Sequence, residues 1–135
     1  MMDLAFSRRA ALVAGIVMPL VETWRRWAEW GQLSKLPSIL DDFLAGGFLI
    51  LGAVMSRRDP ASGRTYLAAA WGVATGMMYY SFLGQLVLLG QPDPSGVPPA
   101  AVVALKGVLL TGCVLCLAGA LRVPSDSSAP LPRAP

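Results

Sequence analysis

Six side chains of this sequence are placed to do chemistry: Glu22, Asp41, Asp42, Ser81, Gln85 and Lys106 all stand within or beside long apolar runs. A charge inside a membrane span costs roughly 2.5–3.5 kcal/mol on insertion scales, so each one calls for a partner, a wet cavity or a function. Asp41 and Asp42 lie about 6 Å into an apolar segment that opens near Ser38, at the rise of a helix. Lys106 lies about 12 Å into one that opens at Pro98, with a stem long enough to snorkel outward. Ser81 and Gln85 are spaced i, i+4 and share one side of a third segment. Glu22 closes the first. If successive segments cross a bilayer in alternating directions, all six fall in the same half of it, whichever face that half adjoins.

These residue types support two readings. In the structural one, Lys106 pairs with an aspartate and locks the helices together. Neighbouring helix positions point about 100° apart, so Asp41 and Asp42 cannot both meet it. In the functional one, Asp41 or Asp42, Lys106 and Gln85 line a cavity that takes a proton, a cation or a small polar ligand.

Other chemistry is narrowed by what the sequence lacks. It has no histidine, which removes His-ligated haem, His-type zinc sites, blue copper and Ser-His or Cys-His nucleophiles. Its two cysteines, Cys113 and Cys116, form a C-x-x-C within an apolar run. A four-helix membrane chain with C-x-x-C on its last helix resembles the vitamin K epoxide reductase family of thiol–quinone oxidoreductases. That resemblance implies thiol exchange with a second, external cysteine pair, and this chain has none. Cysteine as a small apolar packing residue fits the run. Four-helix architecture is also similar to that of the small multidrug-resistance transporters, whose membrane glutamate lies within the first helix. Glu22 instead stands at its end. No cofactor and no metal site are expected.

The elements that must position the six residues are four apolar helices. The 135 residues suffice for one domain, and they are 55% hydrophobic and 14% charged with a mean hydropathy of +0.57. Ordinary soluble domains carry about 25% charged residues, and a soluble chain this short could not hide so much apolar surface. The net charge of +3 comes from basic residues that flank apolar runs, which points to lipid headgroups and away from nucleic acid. The expected fold is therefore all-α: an integral membrane four-helix bundle in residues 1–121, with short loops and a disordered Pro- and Ser-rich tail at 122–135. Helices are expected at about 8–24, with a kink at Pro19, and at 38–55, 66–90 and 98–121. The segment from Arg57 to Thr65 is expected as a polar turn, and Gln91 to Gly96 as another.

Three further patterns bear on partners. Trp24, Trp27 and Trp30 recur every three residues beside Arg25, Arg26 and Glu29, as interfacial anchors do. Gly72, Gly76 and Gly84 on the third helix, in a four-residue rhythm with Ala68 and Tyr80, form a stripe that lets another helix approach closely. Gly112 and Cys116, with Ala120, make a second stripe on the fourth helix. Tyr79 and Tyr80, mid-segment, are expected to pack against a neighbouring helix. An N-in, C-in topology puts Arg8, Arg9, Arg57, Arg58, Arg64, Arg122 and Arg133 inside against Arg25, Arg26 and Lys35 outside, as in a bacterial cytoplasmic membrane. The functional expectation is a non-catalytic accessory or assembly subunit that packs in the lipid bilayer against other membrane proteins or itself. The alternatives are a minimal homo-oligomeric transporter or channel built on the polar cluster and, third, a thiol–quinone-type oxidoreductase.

Overall fold

The computed structural model describes residues 3–25, 27, 31, 36–91, 93 and 96–122. These form four helices and, among the described residues, no strand: α1 Leu4–Arg25, α2 Leu36–Arg58, α3 Pro60–Val87 and α4 Pro99–Leu121. Helices adjacent in sequence pack side by side, and α1 meets α4 less extensively, closing the bundle more tightly at one end than the other.

Capping explains where two helices begin earlier than expected. The Asp3 carboxylate accepts the Phe6 amide at 2.8 Å, so α1 starts at Leu4 and carries Arg8 and Arg9 inside it. Asp59 does the same for α3, accepting the amides of Ala61 and Ser62 at 3.0 and 3.4 Å and the Ser62 hydroxyl at 2.6 Å. Pro60 then occupies the first helical position, where its missing N–H costs nothing. The expected polar turn from Arg57 to Thr65 thus reduces to the single residue Asp59 between two helices. So sharp a reversal brings the chains into contact: a Cβ on Gly63 would collide with the backbone of Met55 and Ser56.

A second close approach joins α1 to α2. A Cβ on Gly15 would stand 2.7 Å from the Gly46 carbonyl oxygen, and one on Gly46 would stand 2.5 Å from the Gly15 carbonyl oxygen. Pro19 has no N–H to offer the carbonyl four residues back, which is that of Gly15. The oxygen left over lies against the Cα of Gly46, an arrangement suited to reciprocal Cα–H···O contacts.

The core is built mostly of small residues. Ala11, Leu49, Ala53, Leu67, Ala70, Trp71, Ala74, Cys113, Cys116 and Ala120 are buried together. All come from the first half of α1, the second half of α2, α3 up to its middle and the second half of α4. That end is also tied by polar contacts: Ser7 Oγ donates to the Cys116 carbonyl at 2.8 Å, and the Trp71 indole donates to the Ser7 carbonyl at 3.3 Å. At the opposite end the described side chains of α2 before Ala45 and of α4 before Cys113 include none that is buried.

The outer surface is apolar. Leu44, Tyr80, Val87 and Val108 are among many large hydrophobic residues at least two-thirds exposed. Two helices are long and apolar enough to cross a membrane: Leu4–Trp24, with a mean hydropathy of 1.6, and Pro99–Leu121, with 2.3. Asp41 and Asp42 in α2, and Arg64, Gln85 and three tyrosines in α3, lower the apolarity of the other two.

Candidate functional site

The loosely packed end of the bundle contains the polar residues singled out by type and spacing, and they divide into two groups. The first lines a cavity of about 430 Å³ between α1, α2 and α3. Glu22 comes from the last turn of α1, Asp41 and Asp42 from the early turns of α2, and Ser81 from α3. Met18, Met77, Met78 and Tyr80 supply much of the remaining wall. Its floor is Gly46, Leu49 and Ala74, the upper edge of the packed core. At the level of the cavity α1 carries no described buried side chain after Pro19, and α2 none before Ala45. Three carboxylates on two helices facing one space give it a negative potential.

The second group runs along the α3–α4 seam. Lys106 donates to the Ser81 carbonyl at 3.4 Å and to Gln85 Oε1 at 3.2 Å. Gln85 in turn donates through Nε2 to Asp93 Oδ2 at 3.1 Å. Gln85 and Asp93 are both buried, each with 9% of its surface exposed. This is a charge-assisted chain from a lysine in α4, through an amide in α3, to a carboxylate in the loop between them. Lys106 and Gln85 therefore meet. Asp41 and Asp42 open instead onto the cavity, whose lining does not include Lys106. Ser81 belongs to both groups, through its side of the cavity wall and through its carbonyl.

Asp93 is the member that sequence reasoning missed. It sits in the turn from Gln91 to Gly96, where Asp between prolines reads as turn chemistry alone, and nothing local signals that its carboxylate folds back onto α3. Ser7 was missed for a similar reason: a serine before two arginines reads as a flank.

The glycine stripes are placed differently from expectation. A Cβ on Gly72, Gly76, Gly84 or Gly112 would meet nothing within 4 Å. The close approaches inside the bundle are made by Gly15, Gly46, Gly52 and Gly63 instead. The repeat of small residues on α3 is thus an exposed face: Gly72, Gly76, Tyr80 and Gly84 are all exposed, with Gly76 and Tyr80 at the border of the cavity. Tyr79 and Tyr80 are exposed, at 55% and 82%, rather than packed on a neighbouring helix, and Tyr80 borders the cavity. On α4, Cys116 is buried in the core while Gly112 has open space beside it. Cys113 and Cys116 are both buried and free.

Trp24 ends α1 and is exposed, as is Trp27 just beyond it. The helix is described to Arg25, so the stretch that joins the three indoles falls mostly outside the described residues. Trp30, Arg26, Glu29 and the tail from residue 123 lie outside the described residues. No group of three or more His, Cys, Asp or Glu side chains suited to a metal ion is found among the described residues. Comparisons with family models, curated proteins and solved structures give no match for the chain.

Proposed function

We propose that the chain is a four-span integral membrane protein that acts as a non-catalytic accessory or assembly subunit, docking other membrane helices on the outer face of α3. The observation that carries this reading is the direction of the α3 stripe. Gly72-x-x-x-Gly76, continued by Gly84, is a spacing that lets helix backbones approach in a membrane. Within this chain no helix packs against it, since open space adjoins each of the three glycines, that beside Gly76 opening onto the cavity. The exposed apolar surface supports a lipid surrounding. So does α4, whose most apolar stretch is only 11% buried, unlike the core helix of a soluble protein. In the orientation with both ends at the cytoplasmic side, the packed end faces inward and the cavity faces out.

The test is co-purification. Replacing Gly72 and Gly76 by Leu fills open space beside α3 without meeting another atom of this chain within 4 Å of the new Cβ, so the protein folds and loses its partner. Retention of the partner at wild-type stoichiometry would sink the proposal.

One observation favours a second reading, a minimal transporter working as an oligomer. The cavity has the volume of a small-ligand site and carries Glu22, Asp41 and Asp42. Under that reading Asp42→Asn abolishes flux of a cationic substrate in proteoliposomes while the protein still folds; unchanged flux would remove it.

A further inference from the structure

We infer that the arginine-bearing end of the bundle binds the headgroups of anionic phospholipids, an inference that rests on the membrane reading above. Arg8 and Arg9 of α1, Arg57 and Arg58 of α2, Arg64 of α3 and Arg122 just past α4 all lie at the tightly packed end. They are six of the chain's 11 lysines and arginines. Two described carboxylates lie at that end, and both are engaged elsewhere. Asp3 holds the Phe6 amide, and Asp59 holds the Ala61 and Ser62 amides and the Ser62 hydroxyl. Among the described residues, Arg8, Arg9, Arg57, Arg58 and Arg64 make no ion pair. Their positive charge is available to something outside the protein.

The placement of these arginines favours a lipid over a soluble polyanion. They stand on three different helices around the rim, not along one groove. Exposed apolar side chains lie within a turn or so of them: Phe6, Val54, Tyr66 and Leu121. A molecule seated there meets guanidinium groups with its head and apolar surface with its chains, which is the division found in a phospholipid. Guanidinium groups hold phosphate oxygens in pairs, and the attraction of an anionic leaflet acts within about a Debye length, so rim arginines are the residues that feel it. A zwitterionic headgroup offers the same phosphate but cancels it with its own amine.

The experiment uses the full chain, first left in its membranes through an alkaline wash and then purified in neutral detergent. The thermal midpoint is followed as mixed micelles are titrated with phosphatidylglycerol, phosphatidylcholine or inorganic phosphate. Phosphatidylglycerol raises the midpoint, and the other two leave it in place. Arg57→Gln with Arg58→Gln unfolds at the wild-type midpoint without lipid and needs about 25-fold more phosphatidylglycerol, about fivefold for each arginine at an anionic surface. Arg57→Lys with Arg58→Lys keeps most of the response. An equal rise with phosphatidylcholine, or with inorganic phosphate, would overturn the inference. So would a glutamine variant that responds at wild-type lipid concentrations. If the chain leaves the membranes in the alkaline wash, the membrane reading fails and takes the inference with it. If it stays in the pellet yet ignores phosphatidylglycerol, only the inference fails.

Discussion

Adding one methyl group at Gly46 tests whether the α1–α2 crossing is what holds the first helix in place. A Cβ there would lie 2.5 Å from the Gly15 carbonyl oxygen and 2.6 Å from Pro19 Cγ. Neither neighbour can rotate aside, because one is backbone and the other a ring closed onto it. Ordinary carbon contacts begin near 3.5 Å, so α1 must retreat by about 1 Å. A gap of that size forfeits a quarter to a half of each dispersion contact along the seam, and overpacking of this kind costs about 1–3 kcal/mol. With two rigid neighbours the upper figure applies, offset by about 1 kcal/mol because alanine forms helix better than glycine. Gly46→Ala therefore destabilises by about 2 kcal/mol. Gly72→Ala meets nothing and retains the helix gain, so it is neutral or stabilising by up to about 1 kcal/mol. Unfolding of both variants in mixed micelles by increasing dodecyl sulfate reads the difference. A Gly46→Ala variant as stable as wild type, or a Gly72→Ala variant equally damaged, would refute the assignment of which glycines pack inside the bundle.

Three other changes read other parts of the structure. Ser7→Ala removes the buried hydrogen bond that ties α1 to the Cys116 carbonyl and lowers stability by about 1 kcal/mol in the same assay. Gln85→Met breaks the chain between Lys106 and Asp93 at its middle, costs about 2 kcal/mol, and accelerates hydrogen exchange in the α3–α4 turn before the rest of the bundle opens. The Ser62 hydroxyl, with the amides of Ala61 and Ser62, holds the Asp59 carboxyl below its usual range. A depressed folded pKa stabilises above the unfolded value of about 3.9 and loses that contribution as pH falls through the lower, folded one. The start of α3 should accordingly fray below about pH 4 in wild type, seen by exchange at Ala61 and Ser62, and Asp59→Asn should remove that acid step.

How much of this was legible in the sequence depends on the range of the interaction. The four helices follow from apolar run length and from Pro and Gly punctuation, which are local. Where they begin was misread at Leu4 and Pro60, because Asp3 and Asp59 act as caps, and a cap signal beside arginines looks like a flank. The polar residues were found by type, since a charge in an apolar run stands out. Their partners were not, because Lys106 reaches Gln85 and, through it, a loop aspartate that reads as turn chemistry. The glycines show the same limit. A repeat of four residues reveals that α3 has a flat face, but not whether that face turns inward. Gly15 and Gly46, with no glycine repeat around them, make a close helix crossing because each happens to lie opposite the other.

Whether the exposed face of α3 serves a partner is read by native mass spectrometry of the protein gently extracted from its own host membrane. The expected result is a stoichiometric complex with other membrane polypeptides, dissolved when Gly72 and Gly76 are replaced by leucine. A lone monomer, or a complex indifferent to that replacement, would contradict it.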